Sequence, residues 1–327
     1  MYKKIYNNPD IYLIHIPLLD NPLKNLNCYV IKTNDKNLII DTGFNSPDCY
    51  EALTSELNQL DIDINKTELF LTHMHSDHTG LVSSLMNDDS IIYMSEVDYE
   101  YVKLMLNGYW IKDDKNYIKE GFTKSELSSL WTSNPAKIYN PDKLFNITAV
   151  EDNTKFNIGD YEFTCISTPG HTPGHMCLYL EKEKILFSGD HILFDISPNI
   201  SRWPTVENSL KDYINSLRKI KEYDIKLTLA AHRNNENALH YRIDQLIHHH
   251  ELRLEETLEI VDTHPGLNAY TIAGKMKWSL KSKSWQEAPV QQKWFAVGET
   301  LAHLDYLALE NKVYKKSVGD GYIYYIK

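Results

Sequence analysis

Short apolar, β-rich runs open the chain at Tyr12–Pro17, Asn27–Ile31 and Asn37–Ile40, broken by Asn, Asp, Pro and Lys. Their length and turn-forming breaks predict antiparallel strands. Ser46-Pro47 then predicts a helix to about Leu60, with Ser46 as N-cap and the proline in the first turn, where its missing N–H costs nothing. Glu68–Leu71 and Ile91–Met94 return to extended structure, and between them a helix is expected from His78, with Leu81, Val82 and Leu85 on one side. From Ser95 to about Asn140 the strand rhythm gives way to helical candidates carrying Tyr99, Tyr101, Tyr109, Trp110, Tyr117, Phe122 and Trp131. Two readings stand: an aromatic lid that walls a site, or an insertion that buries these rings against the sheets. Strands resume at Tyr161–Ser167, Cys177–Leu180 and Ile185–Ser188, followed by an amphipathic helix over Asn208–Glu222 and a strand at Lys226–Ala230. Two strand-rich halves, each finished by helices, predict an α/β protein: a two-sheet sandwich flanked by helices.

Tyr241–Val261 reads as one long helix, ended by Thr263-His264-Pro265-Gly266. His248, His249 and His250 are consecutive, so they fan around it and are expected on its solvated surface. Beyond Pro265, Ala269–Leu280 and Gln291–Asn311 look helical. Val313–Lys316 and Tyr322–Ile326 flank Ser317-Val318-Gly319-Asp320-Gly321, which signals a hairpin. Helices closed by a hairpin resemble a winged helix.

At 327 residues and 42% hydrophobic content, the chain can bury a large domain and a small one. Neither a secretion signal nor an apolar run of membrane-spanning length is visible, so the expectation is a cytoplasmic protein without a membrane partner. Cys28, Cys49, Cys165 and Cys177 lack CxxC spacing and read as buried free thiols. The net charge of −11 is uneven. Residues 265–327 hold nine lysines against five acids, +4, leaving 25 basic and 40 acidic residues, −15, in 1–264. The acidic body argues against a general nucleic-acid surface, while the tail leaves one open.

Candidate chemistry is concentrated after Leu69-Phe70-Leu71. Residues 72–80 read Thr-His-Met-His-Ser-Asp-His-Thr-Gly, so His73, His75, Asp77 and His78 offer three imidazoles and a carboxylate within six residues. That set suits a borderline divalent metal such as zinc. His171 in Pro-Gly-His, Asp190 in Ser-Gly-Asp-His and His232 in Ala-Ala-His each fall at or just beyond an expected strand end. Any one of the fourteen histidines is more often surface or satisfied core; the joint arrangement carries the metal reading. Seven candidates exceed one tetrahedral zinc and point to two metals.

His73-x-His75-x-Asp77-His78, with His171, Asp190 and His232 in that order, resembles the full ligand set of the metallo-β-lactamase-fold superfamily over roughly the first three quarters of the chain. The resemblance implies the αββα sandwich and two divalent cations, zinc for this nitrogen-rich set, with iron or manganese used by related enzymes. It implies that His73, His75 and His171 hold one metal, that Asp77, His78 and His232 hold the second, and that Asp190 bridges them. Ile39-Ile40-Asp41-Thr42-Gly43 resembles a family strand end whose aspartate supports the first ligand loop. His75 argues against the di-iron electron-transfer branch, which has glutamate there. His175, in the family-like turn Thr172-Pro173-Gly174-His175, is expected to tie down a ligand or shape the turn. His191 follows Asp190 in extended chain, points to the opposite face and stays outside the metal set. The C-terminal elements are similar to those of a winged-helix branch that includes an endoribonuclease. That implies a catalytic domain over 1–240 with a helical lid insertion at 95–140, a linker helix over 241–264, and a winged-helix-like domain over 265–327.

The function expected is metal-dependent hydrolysis, with a metal-bridging hydroxide attacking a small ester, lactone, thioester or amide and Asp77 and Asp190 as the catalytic carboxylates. The hydroxyacylglutathione hydrolase branch fits less well, because no basic helical pattern follows His232. One alternative is a nuclease cutting single-stranded RNA, drawing on the +4 tail and on Tyr270, Trp278, Trp285, Trp294 and Tyr322. Another is a non-catalytic, metal-binding regulatory protein. A small molecule is favoured over RNA as partner because +4 across the tail is modest; the tail aromatics also suit a homodimer contact.

Overall fold

The computed structural model describes residues 1–108, 110–235, 238–279, 282 and 284–327, with residues 110–113 and 136 described by backbone alone. Tyr109, the Trp110 side chain and Leu280, all named above, lie outside what is described. A seven-stranded sheet runs in order β1 (Lys3–Tyr6), β2 (Asp10–Pro17), β3 (Asn25–Lys32), β4 (Asn37–Ile40), β5 (Thr67–Phe70), β6 (Ile92–Met94) and β7 (Thr148–Ala149). The first four pair antiparallel and the last four parallel. A five-stranded sheet comprises β8 (Lys155–Ile158), β9 (Tyr161–Ser167), β10 (Met176–Leu180), β11 (Ile185–Gly189) and β12 (Leu227–Ala230); β12 joins the far edge parallel to β11.

Side-chain alternation assembles the layers. Ile11, Leu13, Tyr29, Ile31, Leu38, Ile40 and Phe70 face Phe163, Cys165, Leu178 and Phe187 across the inter-sheet core. The intervening positions Ile14, Cys28, Val30, Ile39 and Leu69 face outward onto α1 (Pro47–Gln59) and α4 (Glu96–Leu106). On the other side Ile166, Cys177, Tyr179 and Leu186 pack on α8 (Ser209–Ile220) and α9 (Leu239–Thr263). A strand buried on both faces needs apolar residues at every position, which is why these strands read as continuous runs. Ser46 caps α1 by accepting from the Cys49 N–H, with Pro47 in the first turn, as the sequence predicts. All four cysteines are buried free thiols. Among the described residues no helix is long and apolar enough to cross a membrane.

The segment between β6 and β7 divides its loyalties. Tyr99, Tyr101 and Val102 of α4 join the core beneath the first sheet. Tyr117, Phe122, Leu127 and Trp131, from α5 (Trp110–Lys119), α6 (Lys124–Ser133) and the turn between them, share a separate core with α10 (Ala269–Lys275), α11 (Val290–Leu309) and the hairpin β13 (Val313–Val318)–β14 (Gly321–Ile326). Most of the rings considered for a lid are therefore packing residues. The expected helix from Ala269 stops at Lys275, because Met276 turns extended.

The histidine triplet departs from expectation. The buried stripe of α9 runs Ile243, Leu246, His250, Arg253, Thr257 and Ile260, a spacing of three and four that places His250 inside. His250 is fully buried against His303 of α11 and His249 is half-buried, because α9 lies between α8 and α11. A surface reading holds only for helices with one packed side.

Candidate metal centre

The two sheets deliver the candidate residues at neighbouring strand ends. The loop after β5 carries His73 and His75, and its continuation into the single-turn helix α2 (Ser76–Thr79) carries Asp77 and His78. His171 follows β9, Asp190 follows β11 and His232 follows β12. All seven converge. His75 Nδ1 is 3.0 Å from both His73 Nε2 and His171 Nε2. Asp77 Oδ2 is 3.8 Å from His78 Nε2 and 3.4 Å from His232 Nε2. Between the two trios sits Asp190, with Oδ2 3.5 Å from His171 Nε2 and Oδ1 3.3 Å from His232 Nε2 and 3.7 Å from His78 Nε2.

The far nitrogen of four rings is committed elsewhere, which aims the near nitrogen at the cluster. His78 Nδ1 donates to Asp41 Oδ2 at 2.8 Å, His171 Nδ1 to the Asn199 carbonyl at 2.9 Å, and His232 Nδ1 to the Asn25 carbonyl at 2.8 Å. His73 Nδ1 lies 3.1 Å from Thr72 Oγ1, whose hydroxyl donates to Asp41 Oδ2. Asp41 also accepts the Thr72 N–H at 2.9 Å, so one buried carboxylate organises both ends of the motif. His175 stays behind the cluster: its Nε2 accepts the Asp190 N–H at 3.2 Å and its Nδ1 donates to Thr168 Oγ1. His191 is buried edge-on to Tyr213, away from the trios.

Burial and charge divide the imidazoles. Burial, reinforced by His171, lowers His75 to about 3, and burial with the surrounding histidines holds His73 well below its usual value. Both are neutral and carry lone pairs. Burial also opposes charge on His78, but Asp41, Asp77 and Asp190 outweigh it and push the ring up to about 10. Burial works against ionised Asp77 too, yet His78 and His232 hold its carboxyl well below the usual range. The second trio is thus a place where positive charge is strongly favoured.

His78 Nε2, His232 Nε2 and Asp190 Oδ1 are buried without a hydrogen-bond partner. Desolvated, convergent and unpaired polar atoms are costly unless something bonds to them. Five imidazoles and two carboxylates form a donor set that fits divalent cations.

Three positioning residues had no sequence signal. Asp98 accepts the Met74 N–H at 3.0 Å, the Gly174 N–H at 2.6 Å and the Thr172 hydroxyl at 2.6 Å, so it ties the His73 loop to the His171 loop. Asn199 orients His171 through its carbonyl. Trp203 donates from Nε1 to the His171 carbonyl at 3.1 Å, with its ring 6.4 Å from that of His75 and against Tyr101. Their partners are remote in sequence, and no local pattern marks them.

An αββα sandwich with a His/Asp cluster at the shared strand ends defines a metal-dependent hydrolase of the metallo-β-lactamase fold. Residues 22–232 match the Metallo-beta-lactamase superfamily, and the chain belongs to it. The lactamase-like protein adaB of Aspergillus niger is 24% identical over 86% of this chain and 83% of its own length. A Beta-lactamase-like protein 2 homolog of Caenorhabditis elegans is 25% identical over 78% of this chain and 71% of its own. An atrochrysone carboxyl ACP thioesterase of Cryptosporiopsis is 25% identical over 64% of this chain, which spans about half (49%) of that relative. Among solved structures, a metallo-beta-lactamase family protein from Thermus thermophilus superposes with a TM-score of 0.81 at 24% identity, covering 97% of this chain and 98% of the other. That agreement in fold extends through the C-terminal elements.

Proposed function

We propose that this hydrolase cleaves a small ester or thioester using two divalent cations, with zinc as the natural occupant of so nitrogen-rich a site. His73, His75 and His171 would hold the first cation, Asp77, His78 and His232 the second, and Asp190 would serve both. The observation that carries this is Asp190, whose two oxygens face different histidine sets, Oδ2 toward His171 and Oδ1 toward His78 and His232. Such cations, when bound, would supply the lowering of a bound water's pKa to around 7 and the polarisation of the carbonyl under attack. Asp77, whose carboxyl His78 and His232 hold well below the usual range, would orient the attacking water through a carboxylate oxygen. Trp203, beside His75, forms the wall against which the scissile group lies. Hydrolysis would join the water oxygen to the acyl carbon, break its C–O or C–S bond, and pass a water proton to the departing alkoxide or thiolate.

The thioesterase relative supports thioester or ester chemistry. RNA is a weaker candidate. Tyr270, Trp278, Trp285 and Trp294 pack against the C-terminal core instead of forming a stacking platform. Along α11 the stretch from Ala296 to Leu304 is buried, so its middle is not free to enter a groove, and its exposure lies toward the ends at Phe295, Ala308 and Leu309. The same reading divides the chain into a catalytic domain (1–240), a linker helix (241–264) and a winged-helix-like module (265–327) that serves the substrate site.

Metal analysis with a panel of lactone, ester, thioester, phosphodiester and single-stranded RNA substrates tests the proposal. Two equivalents of metal and turnover of the carbonyl substrates are expected, both lost in Asp190→Ala. Retained dinuclear occupancy and turnover in that variant would refute the role of Asp190, and RNA as the preferred substrate would refute the reaction class.

A further inference from the structure

Beside the metal centre lies a cavity of about 560 Å³ where α5, the 202–207 segment, α11 and the C-terminal hairpin meet. Its size is that of a small-molecule pocket. Trp203 is common to both places: it lines the cavity, its indole N–H holds the His171 carbonyl, and its ring flanks His75. A substrate whose reacting carbonyl sits at the ligand cluster therefore has this cavity as the next space beyond Trp203.

The lining states what that space accepts. Val206, Leu309 and Tyr322 give it an apolar and aromatic wall. Its charged residues are Glu120, Glu207 and Asp305 against Arg202 and Lys315. Both cations are already engaged. Arg202 holds Asp305 Oδ2 from Nε at 2.8 Å and Glu120 Oε1 from Nη1 at 3.2 Å. Lys315 stands 3.9 Å from Glu120 and over the Tyr322 ring at 4.6 Å. Among the described lining residues a phosphate or carboxylate entering here meets three carboxylates and two cations already paired, and the exposed Lys119 stands outside them over the Tyr322 ring at 5.5 Å. An uncharged alkyl or aryl chain can lie along Val206, Leu301, Leu309 and Tyr322 without breaking the Arg202 ion pairs.

We propose that this cavity is the specificity pocket for the substrate's non-reacting arm, and that the arm is an elongated, uncharged apolar group. The C-terminal elements, by this assignment, are a wall of the substrate site. That the occupant is a substrate arm rests on the ester or thioester reading above; that the cavity binds such a chain does not.

Calorimetric titration of the metal-loaded protein separates the two. N-decylacetamide, neutral and not hydrolysed on this timescale, is expected to bind saturably at one site. Ala308→Trp fills the cavity from an exposed position of α11 and Val206→Trp from the opposite segment, and each should weaken amide binding at least tenfold. Absent amide binding, or binding indifferent to both substitutions, would overturn the pocket. In turnover, the ratio of kcat/KM for p-nitrophenyl decanoate over acetate should fall at least tenfold in Ala308→Trp; an unchanged ratio would overturn the arm assignment. Acetate turnover without amide binding defeats the pocket and leaves the reaction standing. Amide binding with no ester or thioester turnover defeats the reaction and leaves the pocket standing.

Discussion

Asp98 Oδ1 accepts the Gly174 N–H at 2.6 Å, joining the start of α4 to the turn that follows His171. The same carboxylate holds Met74 and Thr172, so the loops carrying His73, His75 and His171 are fixed to one buried group. Removing it in Asp98→Ala strands three buried donors, at about 1–3 kcal/mol each. A large fall in melting temperature is expected, with weaker metal binding in whatever remains folded. Gly174→Ala attacks the same joint from the other side, since a Cβ there would lie 2.6 Å from the Asp98 N and closer still to Ser95 Oγ. Thermal unfolding and metal titration of both variants check this; unchanged metal affinity in Gly174→Ala would dismiss the joint.

Asp41 presents a subtler case. Its backbone φ of 61° is a conformation that asparagine also tolerates, so Asp41→Asn should fold. The amide cannot satisfy both Thr72 and the His78 Nδ1 proton as the carboxylate does. Loss of such a partner costs about 10–100-fold in metal affinity. On the proposed two-cation reading the loss should fall mainly on the equivalent that His78 would hold, read as a biphasic chelator titration.

Metal removal should destabilise the whole fold, because on the proposed assignment both sheets would contribute ligands to one cluster. A ligand held at a thousand times its dissociation constant adds about 4 kcal/mol of stability. A chelator should therefore lower the melting temperature by several degrees, and added zinc should restore it. Identical melting curves with and without chelator, on protein shown to hold metal, would contradict this.

Glu299 sets a pH dependence one residue removed from His171, since Asn199 donates to Glu299 Oε2 at 3.1 Å and its carbonyl accepts from His171 Nδ1. Burial pushes its carboxyl up to about 7, against the opposing pull of Arg253 and Asn199. The folded protein thus holds this proton more tightly than the unfolded chain, where the value is near 4.5. Its contribution to stability is present below about pH 4.5 and lost as pH rises to about 7, on the order of 3 kcal/mol in all. Glu299→Gln should match the parent near pH 5 and exceed it near pH 8 in denaturant melts. A variant less stable than the parent at pH 8 would show that the Arg253 pairing dominates.

Much was legible in the chain because it is local. The apolar runs of β2, β3, β4 and β9 mark strands wherever they pack, and Ser46-Pro47 caps a helix through bonds within one turn. The motif from His73 to His78 is dense enough to be read without a fold, and the resemblance placed His171, Asp190 and His232 beside it. Sequence patterns could not orient faces. The rings of Tyr117, Phe122 and Trp131 found a core with the C-terminal elements, and His250, expected in solvent, lies buried against His303.

The sequence by itself determined the elements and the kind of atoms available, since propensity, capping and ligand type belong to residues and their near neighbours. Tertiary structure alone decided that Asp98 would clasp two loops separated from it by 24 and 76 positions, and that one carboxylate of Asp190 would face two histidine sets. It also decided that Trp203 would stand between the ligand cluster and a cavity. Such relations depend on which surfaces meet when two sheets close on one another, and packing at that range leaves no period or spacing in the chain.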